Sequence, residues 1–364
     1  MNGIGRRAFA VGAAAALALG AAACGGESGG GGTTEQAKGG KIGLLLPETK
    51  TTRYEAFDRP LFEAKVKALC ADCTIEYQNA DQDANKQLSQ AESMLTAGVK
   101  VLVLDAVDAK AAANIVTKAE QQGVPVVAYD RLASGPVDYY ISFDNQKVGQ
   151  LQGQALLDEL KKGGDAKRGE VVMINGAPTD PNAADFKKGA HSVLDGQVTV
   201  GKEYDTPDWS PDKAQQQMEA AISAVGKDNI IGVYAANDGT GGGAIAAMKG
   251  AGFDKLPPVT GQDAELAAVQ RILTGEQFMT VYKAIKPEAE TAAQMAVDLA
   301  QGKKYAGKTT TMNNGDVDVP SVLLTPVAVT KDNVKDTVIA DGFYKAADVC
   351  KDDAAKVCEE LGIS

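Results

Sequence analysis

Histidine is almost missing from this 364-residue sequence: His191 is its one example. It lies in Asp185–Leu194, a surface-helix pattern carrying Lys187 and Lys188, with no candidate nucleophile or metal partner beside it. In the body neither a G-x-S-x-G elbow between a strand and a helix nor an H-E-x-x-H helix occurs, so it lacks two common hydrolase signatures. Lys/Arg runs are absent from the body and the net charge is −11. That excludes nucleic acid as a partner, because phosphate contacts require a basic footprint. Long apolar runs are scarce as well. The uncharged stretch from Ala8 to Ala23 falls short of the roughly 20 residues of a membrane-spanning helix. Tryptophan occurs once, at Trp209, and cysteine five times.

What is present begins with an export leader. Arg6 and Arg7 form a positive start, the apolar stretch follows, and Ala21-Ala22-Ala23-Cys24-Gly25 closes it. Small residues before a cysteine resemble the lipobox of bacterial lipoproteins. The resemblance implies a signal peptide over 1–23, acylation of Cys24, and residence on the outer face of the cell membrane. Residues 24–40, including the Gly/Ser/Thr-rich stretch Gly25–Thr34, then read as a flexible tether. Arg6-Arg7-Ala8-Phe9 also resembles a twin-arginine motif, so export by Sec or by that route both stay open. The other four cysteines fall in close pairs, Cys70/Cys73 and Cys350/Cys358. In an exported chain two local disulfides are expected. A zinc site built from both pairs would need the chain ends to meet, and the second pair lacks knuckle spacing. No metal is expected.

From Lys41 onward short apolar runs alternate with helical patterns. Strands are predicted over Lys41–Leu46, Thr74–Gln78, Val99–Leu104, Val124–Tyr129, Val171–Ile174, Val198–Tyr204, Ile230–Ala235 and Phe278–Tyr282. Helical spacing appears between them, as in Leu61, Ala64, Val66 and Leu69, or Val148, Leu151, Ala155 and Leu156. Nearly unbroken apolar strands alternating with helices predict α/β architecture, with parallel sheets covered on both faces. The units are too many for one ordinary open sheet, so two similar lobes are expected. The chain should cross between them after Tyr140–Asp144, near Tyr282–Ile285 and near Leu323–Val327. That gives one lobe from 41–143 with 285–323 and another from 144–284 with 324–364.

Polar residues gather where those strands end: Arg53 and Tyr54, Asp130 and Arg131, Trp209, Asn237 and Asp238, Asp263, Lys283. Carboxyl ends of parallel strands are where open α/β sheets bind ligands. A polyhydroxyl ligand needs this mixture, because each hydroxyl donates and accepts. Carboxylates only accept, Arg and Lys only donate, and Asn does both. An aromatic ring covers the apolar face of a sugar.

At these residues the chain resembles the D-xylose-binding proteins of bacterial ABC importers. The resemblance is carried by Ala128-Tyr129-Asp130-Arg131, Tyr140-Ile141-Ser142-Phe143-Asp144-Asn145, Ala236-Asn237-Asp238, Gly261-Gln262-Asp263-Ala264 and Met279-Thr280-Val281-Tyr282-Lys283. Asn313-Asn314-Gly315, Val319-Pro320-Ser321 and Leu323-Leu324-Thr325-Pro326 extend it, so that it covers Lys41 to about Tyr344. It implies the type I periplasmic-binding-protein fold: two Rossmann-like lobes joined by a three-segment hinge. It implies sugar contacts at Arg53, Tyr54, Asp130, Arg131, Asn182, Trp209, Asn237, Asp263 and Lys283. Tyr54 stands where the family has tryptophan, Pro181 departs from the family's loop, and Asp205–Asp208 differs before Trp209. Both cysteine pairs and the tether are additions. The implied activity is capture of a monosaccharide, D-xylose foremost, by a monomer that closes on it and delivers it to an ABC permease, without cofactor or catalysis.

Two other classes are weighed against this. A sugar sensor would present bound ligand to a chemoreceptor or receptor kinase. An NAD-dependent sugar dehydrogenase would use Gly239-Thr240-Gly241-Gly242-Gly243-Ala244, which fits a dinucleotide fingerprint. Yet Asn237-Asp238 places a carboxylate where pyrophosphate should sit, and the glycines are expected to allow close helix packing at a lobe interface. Asp81, Asp83, Asn85 and Glu92 occupy calcium-loop positions, but Lys86 stands where the turn needs glycine. Asp81 or Asp83 is expected to cap a helix instead.

Overall fold

The computed structural model describes residues 39–363. The expected leader, Cys24 and nearly all of the tether lie outside the described residues.

The chain opens with β1 (Lys41–Leu46), α1 (Arg59–Leu69), β2 (Thr74–Asn79), α2 (Ala84–Thr96), β3 (Val101–Leu104), α3 (Ala113–Gln121), β4 (Val126–Tyr129) and β5 (Tyr139–Phe143). It continues through α4 (Asn145–Lys162), β6 (Glu170–Asn175), α5 (Pro181–Leu194), β7 (Thr199–Asp205), α6 (Pro211–Val225), β8 (Ile230–Ala235), α7 (Asp238–Gly250), α8 (Leu266–Thr274) and β9 (Met279–Tyr282). It ends with α9 (Ile285–Ala300), β10 (Thr310–Asn313), β11 (Asp318–Leu324), β12 (Val327–Thr330), α10 (Ala346–Val349) and α11 (Asp353–Leu361).

Two sheets organise these elements. The first runs β10-β11-β5-β4-β3-β1-β2, parallel except at the β10–β11 hairpin. The second has β7-β6-β8 parallel. Bridges Val233–Val259 and Gln262–Val281 continue it through 259–262 to β9, where β12 pairs antiparallel. Alternation along β1 shows why each strand is apolar throughout. Ile42, Leu44 and Leu46 pack beside Ala289, Ala292 and Ala296 of α9, whereas Leu45 packs with Met94 and Leu95 of α2. Both faces are buried, as a parallel sheet requires. The second sheet likewise carries separate cores on its two faces.

This is the type I periplasmic-binding-protein fold, as the sequence predicts. Each predicted strand forms, although Val99–Lys100 and Val124–Pro125 remain lead-ins rather than strand. Strands β10, β11 and β12 were not predicted. Both cysteine pairs are bridged, Cys70 to Cys73 and Cys350 to Cys358. No described helix is long and apolar enough to cross a membrane.

Candidate ligand-binding cleft

The first lobe's wall starts in the loop after β1. Arg53 leads into a π-helical turn, Tyr54–Asp58, which runs directly into α1. Such turns alter which side chains share a face and recur at functional sites. Here Tyr54 and Asp58 turn inward while Glu55 and Ala56 stay exposed. Asp58 receives both Arg53 Nε (3.0 Å) and Nη2 (2.6 Å), a bidentate pairing. Glu288, wholly buried on α9, accepts from the same Nη2 at 2.5 Å, and the Tyr129 hydroxyl donates to Asp58. Arg53 Nη1 then reaches Asp130 Oδ1 at 3.4 Å.

Asp130 follows β4 and has φ of 54°, a left-handed conformation that a non-glycine residue adopts only when its surroundings impose it. The Tyr54 hydroxyl donates to Asp130 Oδ2 at 3.1 Å and accepts from Arg131 Nη2 at 3.2 Å. Burial alone would raise the Asp130 pKa. Arg53, Lys283 and Arg131 outweigh it and hold the carboxyl at about 2. Arg131 Nε lies 2.9 Å from Asp180 Oδ2, off the N–H direction, so that contact is an ion pair rather than a hydrogen bond.

The second lobe's wall comes from the carboxyl ends of β6, β7, β8 and β9 and from the 259–262 stretch. Asp180 caps α5 by accepting from Asn182 N–H at 2.8 Å. Asn182 donates across the cleft to the Asp130 carbonyl (2.9 Å) and accepts from Asn145 (2.9 Å). Trp209 has φ of 52° and follows Asp208 at 59°. Its indole N–H donates to Asp180 Oδ2 at 3.0 Å, and its ring meets Phe186 edge-on at 6.3 Å. The ring lies flat against Gly176, where a Cβ would come within 2.0 Å of it. Asn237 caps α7 through Thr240 N–H at 2.9 Å. Asp263 (φ 89°) and Ala264 (φ 49°) repeat the strained geometry. Lys283, following β9, sits 3.0 Å from Asp263 Oδ1 and 3.9 Å from Asp130 Oδ1.

These groups line one cleft between the lobes. Tyr54, Asp130, Arg131, Asn182, Trp209, Asn237, Asp263 and Lys283 line the space. Arg53 does not; it stands behind Asp130 with its fork already occupied. Thr51, Asp180, Phe186 and Gln262 also line the space, although the sequence did not single them out as contacts. Gln262 sits inside a motif that was read and Asp180 adjoins the Pro181 loop, whereas Phe186 looks like an ordinary core position of α5.

A periplasmic binding protein domain model matches residues 42–304. The chain belongs to the periplasmic-binding-protein family. This binding protein is similar to the D-xylose-binding periplasmic protein of Escherichia coli (strain K12), at 41% identity over 86% of this chain and 93% of the relative. It is 37% identical to the multiple sugar-binding periplasmic receptor ChvE of Rhizobium radiobacter, over 85% of this chain and 92% of that one. A solute-binding protein of a Clostridium phytofermentans ABC transporter, solved with β-D-glucose, superposes with TM-score 0.79 at 30% identity, covering 85% of this chain and 99% of that one. The family consists of binding proteins rather than enzymes.

The remaining motifs find structural roles in this binding protein. A Cβ on Gly243 would fall 2.2 Å from the Pro211 carbonyl, so the glycine run lets α7 approach α6 within the second lobe. That corrects the expectation of packing between lobes: Gly243 faces α6, and Gly241 approaches the Thr260 carbonyl, both within the second lobe. Asp83 caps α2 through Asn85 and Lys86 N–H, and Asp81 pairs with Lys86. His191 rests between Asp195 (2.8 Å) and Glu203 (3.0 Å) on the surface.

Proposed function

We propose that this protein captures a monosaccharide, D-xylose foremost, outside the cytoplasmic membrane and delivers it to an ABC importer. The observation that carries this reading is the mixture of groups in the cleft. Asp130 and Asp263 offer acceptors, Arg131 and Lys283 offer donors, and the amides of Asn182, Asn237 and Gln262 offer both. Trp209 and Phe186 supply apolar faces for the C–H side of a ring. The relative named for D-xylose supports the pentose. In this reading Arg53 acts through Asp130, while the other cleft residues touch the sugar. Lipid on Cys24 holds a monomer at the membrane after export through Sec or the twin-arginine route.

The relative named as a multiple sugar-binding receptor favours a second reading, a sensor with a broader ligand range. Calorimetry of the purified protein with xylose, glucose, galactose, ribose and arabinose tests both. Xylose is expected to bind tightest, at micromolar Kd or below, about −8 kcal/mol or better. Near-equal affinities across the sugars would favour the sensor. Heat with an amino acid or nucleotide, and with none of the five sugars, would overturn sugar capture.

A further inference from the structure

A second set of contacts joins the lobes outside the cavity. Phe57 occupies the same π-helical turn as Tyr54 and Asp58 but faces away from them, half-buried. It stacks on Phe343 with centroids 4.2 Å apart and planes at 20°, and meets the edge of Tyr344 at 5.6 Å. Phe57 belongs to the first lobe. Phe343 and Tyr344 follow another π-helical turn, Lys335–Ile339, in the second lobe's terminal segment, beyond the residues that the family model matches.

That terminal segment is well anchored. Phe343 leans on Tyr282 at 5.1 Å, and the Tyr282 hydroxyl donates to Asp341 Oδ2 at 3.0 Å. Val334, Val338, Val349 and Cys358 share one core with Tyr282, and the Cys350–Cys358 bridge ties α10 to α11 around it. The residue after Tyr282 is Lys283, whose amine lies in the cleft. The aromatic contact is thus connected to the binding site on both sides, through Tyr54 on one lobe and Lys283 on the other.

We propose that Phe57, Phe343 and Tyr344 form an interlobe clasp that slows release of bound sugar, a role that rests on the sugar-capture reading. The partners come from opposite lobes, so the contact stabilises the closed arrangement and contributes nothing once the lobes part. A contact present in only one of two states shifts the balance toward that state, whatever the ligand. Cavity residues choose the sugar; the clasp lengthens the stay of any sugar admitted. Aromatic pairs contribute beyond their buried area by an amount equivalent to about 3–10-fold in an equilibrium. The effect falls on dissociation because the rings meet after the sugar has entered.

The test is a chase of radiolabelled D-xylose from wild-type protein and from Phe57→Ala, Phe343→Ala and the double variant. Each single variant should release sugar about 3–10-fold faster, with association unchanged. The double variant should be little faster than either single one, because both lose the same contact. The same factor should appear for a second bound sugar, which a residue touching the ligand would not give. Thermal unfolding without sugar controls for folding. Should Phe343→Ala unfold, half-buried Phe57→Ala decides alone. Wild-type release rates in folded Phe57→Ala would overturn the clasp and leave sugar capture standing. Failure of the wild type to retain any of the five sugars would overturn both.

Discussion

On the first lobe's wall Asp130 is surrounded by Arg53, Arg131 and Lys283 and stays ionised, its pKa near 2 despite complete burial. On the second lobe, Asp238 stands just behind Asn237 and Asp263, equally buried, and burial pushes it up to about 7. Glu265 rises to about 8 for the same reason, with Asp238 and Asp263 adding repulsion. Half-exposed Arg271 and hydrogen bonds from Gln277 and the Glu265 N–H oppose the shift at Asp238 without cancelling it. The first wall therefore keeps Asp130 ionised among three cations, although burial pushes Glu288 and Asp105 up behind it. The other rests on an acid whose neutral form burial favours; it accepts from Gln277 (2.7 Å), Thr280 (2.9 Å) and Glu265 N–H (2.9 Å), bracing the strained Asp263–Ala264 loop. Preorganisation of a cleft does not require one electrostatic strategy.

The largest expected effect comes from breaking the ionic wall. Asp58→Ala removes the bidentate partner of Arg53 and leaves the Tyr129 hydroxyl unpaired. Breaking a buried pair by removing one partner costs about 3–5 kcal/mol. Denaturant titration should register that loss, and sugar affinity should fall with it. A loss below about 1 kcal/mol would mean that the first wall does not depend on this network.

The neutral wall is probed by pH. Asp238 titrates near 3.8 when exposed and near 7 in the fold, so folding takes up a proton between those values. Its contribution is fully present below about pH 4, declines as pH rises through the window, and is gone above about pH 7. From pH 5 to pH 7 the decline should approach about 2–3 kcal/mol for a single group. Denaturation midpoints across that range should show it, and Asp238→Asn should flatten the slope. An unchanged slope in the variant would show that Asp238 is ionised in the fold.

The smallest effect concerns steric support of the second wall. Gly176→Ala would drive a methyl group into the Trp209 ring. Overpacking of this kind costs about 1–3 kcal/mol. The ring should shift toward the cleft, change its fluorescence emission and weaken sugar binding. Emission and affinity equal to wild type would separate Trp209 from the ligand surface.

The central strands of both lobes were legible because each is a run of apolar residues bounded by polar ones, as in Ile42–Leu46 and Val101–Leu104. Strands β10 and β11 were not. Thr310–Asn313 lies at the sheet edge and is largely exposed, and Pro320 interrupts the next run. Proline is tolerated there because pairing with β5 begins only at Ser321, so on that side Pro320 has no ladder partner to satisfy. Most cavity residues could be read because they sit one or two positions past a strand. Asp58 and Glu288 could not. They meet Arg53 only because a π-helical turn and a helix from a distant segment converge on it. Phe186 escaped because an aromatic on the buried face of a helix looks the same whether it faces the core or a ligand.

The place of β11 governs the order in which the molecule can assemble. It lies between β5, to which it is parallel, and β10, to which it is antiparallel, yet the whole of β6 to β9 is synthesised between β5 and β11. Until Asp318–Leu324 arrives, the outer edge of β5 offers unpaired backbone groups, the kind of edge that recruits other chains. Closing that edge demands a long loop, which slows folding. A nascent chain of this design stays incomplete until nearly all of it has emerged. It should therefore aggregate readily when cut between β9 and β11.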